Sequence, residues 1–364
     1  MHKQSICLLI PSLKVGGMER VMSQIANYLA KKDEFTVDLV MYGKKPTVFF
    51  PLDDTINTYS SGIEYQEKKR IWFSIKTLLY IRKKVRKLNP DIVISFGEVW
   101  NSFVLTALLG TSYPVFISDR CKPDRKYNQL NAFLRKWLYP KATGIIAQTE
   151  FAKQFYFKSK LNSNIAVIAN PIQEKNKLVM QRQNIILSVG RLIQTKHHDR
   201  LIKVFSKLNA PDWKLIIAGG DALKQKNMEK LKILVTKLGL DDRVFLAGEI
   251  KDIDQYYYKS KIFAFTSSSE GFPNVVGEAM LAGLPVVSYD CVAGPSEMIN
   301  EGENGFLVPL FDDQLMQERI QLLIDQEGQR ERMSEKAQLS MTNFSIENIG
   351  DKFLKFILDE STSN

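Results

Sequence analysis

Twelve short β-like runs punctuate this chain, and the segments between them carry apolar residues at helical spacing. The first half holds SICLLIP (5–11), FTVDLVMY (35–42), DIVISFG (91–97), PVFISD (114–119), TGIIAQT (143–149) and NIAVIAN (164–170). The second half holds NIILSVG (184–190), WKLIIAGG (213–220), RVFLAG (243–248), IFAFTSS (262–268), LPVVSY (284–289) and GFLVP (305–309). Strands that alternate with amphipathic helices such as ERVMSQIANYLAKK (19–32) and DRLIKVFSKL (199–208) form parallel sheets covered on both faces. Two such sets in 364 residues, more than one core usually holds, predict an α/β chain of two doubly wound domains. The break falls near Asn170-Pro171, where a strand runs into N-P and a polar stretch, 173–183, follows. The expected domains are 1–172 and 173–340. A final segment, 341–364, contains the helix-like ENIGDKFLKFILDE (347–360), whose apolar Ile349, Phe353, Leu354, Phe356 and Ile357 are expected to pack back on the first domain.

Open α/β sheets bind ligands at the carboxyl ends of their strands, so the residues just after each strand carry the most functional weight. Gly16 and Gly17 follow the first strand and precede a helix, an arrangement that suits either a phosphate or a turn needing small residues. The spacing is not that of a dinucleotide fingerprint. In VGRLIQTK (189–196), Arg191 and Lys196 either stabilise a leaving diphosphate or are two solvated charges. AGG (218–220) and AGE (247–249) are read first as tight turns and second as flat backbone against a base or phosphate.

The segment EGFPNVVGE (270–278) reads as strand end, tight loop and helix, with Pro273 at the first helical position. Helix-start amides of Asn274 and Val275 would point at a diphosphate, Glu278 would accept from ribose hydroxyls, and Glu270 would face whatever the diphosphate carries. A helix capped by acidic residues accounts for one glutamate, and poorly for both. Asp252-Ile253-Asp254 lies at a helix start and is read as first-turn acid, not as a metal motif.

Charge and cysteine content narrow the class. A net charge of +10 and a pI near 9.2 favour an anionic partner without choosing one. No nucleic-acid motif accompanies that charge. Cys7, Cys121 and Cys291 are far apart without CxxC spacing, which provides neither a disulfide framework nor a zinc site and suits a reducing compartment. No apolar run reaches the ~18 residues of a spanning helix, and the first residues lack a signal-type apolar region.

Together these motifs resemble the retaining family-4 glycosyltransferases of the GT-B fold: E-x7-E with GFPN after the first Glu, VGR-x4-K upstream, and GG after the first strand. The resemblance runs nearly end to end and is most specific in the second domain. It implies two Rossmann-like domains facing each other across a cleft, the first for the acceptor and the second for a nucleotide sugar. By position it implies that Arg191 and Lys196 grip the diphosphate, that Glu278 holds the ribose, and that Glu270 faces the donor sugar. Phe272, Pro273, Asn274 and Val275 would line sugar and phosphates, and Gly16 and Gly17 would close over the diphosphate. It implies no metal and no cofactor, with front-face displacement in which the leaving phosphate helps to deprotonate the acceptor. Where many relatives carry a histidine, this chain has Asp119-Arg120, a possible donor or acceptor contact.

VGGMERVMSQIANYL (15–29), ISFGEVWNS (94–102), ISDR (117–120) and NPI (170–172) are similar to the subgroup that extends undecaprenyl-diphosphate-linked glycans. The stretch 68–89 carries nine Lys or Arg and no acid, interleaved with Ile71, Trp72, Phe73, Ile75, Leu78, Leu79, Tyr80 and Ile81. Such a segment suits an anionic membrane surface, or is a domain helix with a solvated basic face. The expected protein is a cytoplasmic transferase, peripheral on the inner face of the membrane. It moves a hexose or N-acetylhexosamine (Gal, GalNAc or GlcNAc type) from a UDP-linked donor to a lipid-linked glycan in surface polysaccharide, such as O-antigen or capsule, or in glycoconjugate synthesis. The alternatives are a soluble acceptor, a GDP-sugar donor, a nucleotide-sugar epimerase, or a non-catalytic anion-binding module.

Overall fold

The computed structural model describes residues 3–44, 46–173, 178, 180–222 and 225–361. The chain forms two compact units, Met1–Pro171 with Ile346–Asn364, and Ile172–Ser345. In chain order, unit 1 contains β1 (Gln4–Ile10), α1 (Gly17–Ala30), β2 (Phe35–Met41), β3 (Asn57–Ser60), α2 (Arg70–Leu88), β4 (Ile92–Phe96), α3 (Glu98–Ala107), β5 (Val115–Ser118), α4 (Gln129–Leu138), β6 (Gly144–Ala147), α5 (Glu150–Lys158) and β7 (Ile165–Val167). Unit 2 contains β8 (Ile185–Val189), α6 (His198–Phe205), β9 (Lys214–Ala218), α7 (Asn227–Lys237), β10 (Val244–Gly248), α8 (Asp254–Lys259), β11 (Ile262–Phe265), α9 (Asn274–Leu281), β12 (Val286–Tyr289), β13 (Gly305–Val308), α10 (Asp313–Asp325) and α11 (Glu327–Ser340). The chain then returns to unit 1 as α12 (Ile346–Ser361).

Each of the twelve apolar runs contains a strand, and the strands pair in parallel. The strand without a sequence signal is β3, four residues on an exposed edge that pair with β2. The orders are β3-β2-β1-β4-β5-β6-β7 in unit 1 and β10-β9-β8-β11-β12-β13 in unit 2. Each sheet therefore reverses its winding once, between β1 and β4 and between β8 and β11, and the crevice at such a reversal is where an open sheet binds ligands.

Burial explains the unbroken apolar strands. Along β1, Ile6, Leu8 and Ile10 join a core with α1 and α12, while Cys7 and Leu9 face the opposite core built with α2, α3, α4 and α5. Alternate side chains serve opposite layers, so the buried run Ile6–Ile10 is apolar at every position. On α12, Ile349, Phe353, Leu354 and Ile357 are buried in the first of these cores, each contributing about 1.5–3 kcal/mol by removal from water. Phe356 meets Phe116 edge-on.

The unit boundaries differ slightly from the sequence expectation. Ile172 is buried against Gly277, and its amide donates to Phe344 O, which ties it to unit 2. Residues 341–345 stay there as well, because Met341 is buried and Phe344 packs near Phe272. Of the polar stretch 173–183, residues 174–177 and 179 lie outside the described residues. No described helix is long and apolar enough to cross a membrane.

Candidate active site

In unit 2 the loops after β8 and β11 meet over the sheet reversal. The small hydroxyl residues that end β11 act as staples: Ser268 N donates to Thr195 O at 2.9 Å, and Thr266 Oγ1 donates to Lys196 O at 2.9 Å. The stem of Lys196 lies along Gly190, where an added Cβ would stand 3.4 Å from its Cδ and Cε. Its ammonium pairs with Glu270 at 2.5 Å, with the two side chains only 13% and 14% exposed. A cation and a carboxylate held this dry present a charge-matched pair to any ligand entering the crevice.

Arg191, in contrast, is exposed. It lines a cavity of about 340 Å³ at the ends of β8, β9 and β10, together with Gly219, Gly220, Asp221 and Glu249. AGG and AGE therefore share one cavity. A Cβ at Gly219 would lie 1.8 Å from Gly190 O, so glycine is required there by the close approach of two backbones. Sequence reasoning ranked both segments as simple turns, because the packing of one loop on the other is a tertiary fact.

The loop 270–274 places its side chains differently from expectation. Phe272 and Pro273 are buried, so they shape the loop by packing. Pro273 is the N-cap residue and Asn274 begins α9, one position later than expected. The Asn274 amide donates to Phe272 O at 3.0 Å and is thus occupied, whereas the Val275 amide has no partner among the described residues. Glu278 accepts from Tyr257 Oη at 3.1 Å. Tyr257, which fixes that carboxylate, was not identified from sequence; its position in the DQYYYK helix carries no motif. In the same helix region, Asp252 accepts from Gln255, and Asp254 opens α8. His198, at the start of α6, is buried beside the loop that follows β8, and burial together with the nearby Lys196 pushes its pKa down to about 4.

In unit 1, Gly16 and Gly17 stand at the start of α1. The Glu19 carboxylate folds back beside them, with Oε2 2.2 Å from where a Cβ at residue 16 would be built. The possible ligand role of Asp119 gives way to a structural one. Its carboxylate is buried and accepts from Arg135 Nη2 (2.6 Å), Tyr139 Oη (2.6 Å) and Asn101 Nδ2 (2.9 Å), which consumes both oxygens. Arg120 is the opposite case. It lies 4.0 Å from the Phe96 ring centroid, donates to Asn170 at 2.6 Å, and has no partner for Nε among the described residues. Burial without a paired carboxylate lowers its pKa to about 9.

The basic stretch 68–89 splits by face. Thr77, Ile81 and Val85 bury one side of α2. Ile71, Trp72, Ile75 and Leu79 are exposed on its amino-terminal half. Arg82 donates to the carbonyls of Ala107 and Leu109, and Lys84 lies 3.9 Å from the Tyr59 ring centroid, so neither is a free surface cation. In the same helical layer, joined through α3, α4 exposes Leu130, Phe133 and Trp137 at i, i+3 and i+7 beside exposed Lys136. That second face escaped the sequence reading, though the spacing was visible.

Two parallel-sheet, Rossmann-like units with these reversals define the GT-B class of folds. The chain belongs to the glycosyltransferases: residues 15–175 match the model of glycosyltransferase family 4, and residues 170–340 that of glycosyl transferases group 1. It is 33% identical over 339 residues to an uncharacterised glycosyltransferase of Haemophilus influenzae, covering 92% of this chain and 94% of that one. It is 28% identical to the N-acetylgalactosamine-N,N'-diacetylbacillosaminyl-diphospho-undecaprenol 4-alpha-N-acetylgalactosaminyltransferase of Campylobacter jejuni, over 98% of this chain and 100% of that one. Among solved structures, Anabaena HepE in complex with UDP superposes with a TM-score of 0.77 at 20% identity, covering 98% and 100% of the two chains.

Proposed function

We propose that this glycosyltransferase moves a hexose or N-acetylhexosamine, with retention, from a UDP-linked donor bound by unit 2 to a lipid-linked glycan in bacterial surface polysaccharide or glycoconjugate synthesis. The observation that carries the donor side is the dry Lys196–Glu270 pair at the sheet reversal, flanked by Arg191 and by Glu278 on Tyr257. In this reading Lys196, Arg191 and the Val275 amide take the diphosphate charge, so no metal is required. Glu278 accepts from the ribose, and Glu270 meets a hydroxyl of the transferred sugar. The bond from C1 to the diphosphate oxygen breaks, and the acceptor oxygen bonds to C1 on the same face. The acceptor's proton passes to the leaving phosphate. UDP is favoured because HepE was solved with it, and a lipid-linked acceptor because the Campylobacter relative is named for one.

The same reading makes the protein peripheral on the cytoplasmic face of an anionic membrane. Exposed Trp72, Ile75 and Leu79 on α2, with Leu130, Phe133 and Trp137 on α4, supply the apolar surface beside Lys68, Lys69, Arg70 and Lys76.

The test is thermal unfolding with UDP, GDP or ADP in EDTA. A ligand at tenfold its Kd adds about 1.4 kcal/mol, worth a few degrees. A rise with UDP alone supports the reading. A rise with GDP alone replaces UDP by GDP, and a rise that requires a divalent metal overturns the metal-free site.

A further inference from the structure

We propose that His197 is a positioning residue for the nucleotide site: its imidazole ties the loop that carries Lys196 to the loop that carries Glu270, and so holds the Lys196 ammonium where a diphosphate meets it. The inference rests on the reading of Lys196 as a diphosphate ligand and extends it to a side chain outside the diphosphate's own contacts. His197 links the short helical turn Gln194–Lys196 to α6, with φ 49° and ψ 40°. Six described residues other than glycine have positive φ, and two of them touch here: the His197 ring meets Phe311, φ 68°, edge-on at 5.0 Å. The left-handed region is crowded for any side chain and most of all for a bulky one. Backbone persists there only where its surroundings over-determine it, and such positions cluster at functional sites.

His197 Nε2 lies 2.8 Å from Ser268 Oγ. The Ser268 hydroxyl donates to Thr195 O at 3.3 Å, which leaves its oxygen to accept the imidazole N–H. His197 follows Lys196 directly and Ser268 stands two residues before Glu270, so this contact brackets the 2.5 Å ion pair. The other ties between the two loops, Ser268 N to Thr195 O and Thr266 Oγ1 to Lys196 O, run to backbone carbonyls. The imidazole adds a strut between side chains, close to the charges themselves. A charge-assisted hydrogen bond depends on distance and angle, so a small drift of either loop weakens what Lys196 offers to a phosphate.

The ring is held from behind. Arg200, in α6, donates from Nη2 to Phe311 O at 2.8 Å, and its guanidinium lies 4.9 Å from the Phe311 ring centroid. Arg200 Nε donates to Asp313 Oδ1 at 2.9 Å, and Tyr289 Oη donates to the same carboxylate oxygen. A line of contacts therefore runs from Asp313 at the start of α10 through Arg200, Phe311 and His197 to the loop of Glu270, all within unit 2.

The experiment is titration calorimetry of the full chain with UDP, GDP and ADP in EDTA, with thermal unfolding measured on the same samples without nucleotide. It compares the unaltered protein with His197→Gly, His197→Gln and Ser268→Ala. Glycine accepts a φ of 49° without strain but brings no donor, whereas glutamine keeps the strain and carries an amide N–H that reaches Ser268. Affinity for the nucleotide that binds is expected to fall about tenfold in His197→Gly and in Ser268→Ala, and to stay within about threefold in His197→Gln. His197→Gly is expected to melt at or above His197→Gln. Affinity then runs opposite to stability in the two His197 variants, which a residue serving only the fold does not produce. Ser268→Ala removes only a hydroxyl, so the comparison survives if His197→Gly fails to fold. Unchanged affinity in His197→Gly or Ser268→Ala, or equal losses in His197→Gly and His197→Gln, overturns the inference while the nucleotide site stands. Failure of all three nucleotides to bind the unaltered protein overturns the donor reading, and this inference with it.

Discussion

Lys196 and Glu270, 74 residues apart in the chain, meet at 2.5 Å across the point where the sheet of unit 2 reverses. The pair is too dry to be a solvated surface contact, so each partner is costly without the other. Glu270→Gln keeps an acceptor for Lys196 and is expected to retain the UDP thermal shift while turnover falls about 100-fold or more. Lys196→Ala is expected to lose the UDP shift and to lower the unfolding free energy by roughly 3 kcal/mol, since Glu270 is left unpaired. Urea unfolding and steady-state kinetics check both; unchanged kcat in Glu270→Gln refutes the assignment.

His198 predicts a pH dependence. Burial and Lys196 hold its pKa near 4, so the folded protein keeps the ring neutral while the unfolded chain takes up a proton below about 6.5. Stability from this group is complete above that value and falls as pH drops toward 4, by about 3 kcal/mol in all. Urea unfolding at several pH values, compared with His198→Gln, should show the loss in the unaltered protein and a flatter profile in the variant.

Arg120 sits on Phe96 with no carboxylate partner among the described residues, and its pKa is lowered to about 9 by burial. Such a cation costs folding energy, so Arg120→Met is expected to leave the thermal midpoint equal or higher. If an anion of donor or acceptor pairs with it, turnover falls at the same time. A variant that loses stability and keeps activity would make Arg120 a purely structural residue.

Membrane docking is expected to depend on the exposed faces of α2 and α4. Replacing Trp72, Leu79, Phe133 and Trp137 together by Ser should release the protein from anionic vesicles and leave the UDP thermal shift intact. Replacing Arg82 alone should instead lower stability, because its guanidinium holds two carbonyls at and just after the end of α3. Vesicle sedimentation decides the first part; undiminished binding ends the membrane reading.

What the sequence by itself determined follows from local burial. Strand segments covered on both faces are apolar, as Ile6–Ile10 of β1 are, and loops that follow them carry Gly, Pro and charge; hence twelve strands and the places of Arg191, Lys196, Glu270 and Glu278 just after or near strand ends were legible. The edge strand β3 was not, because an exposed strand has no core face to mark it. Tertiary structure alone decided which charges meet. It joined Lys196 to Glu270, and it spent Asp119 on Arg135, Tyr139 and Asn101. It also left Arg120 Nε without a partner among the described residues. Charge pairing depends on distance in space and on exclusion of water, and neither is written in the local pattern.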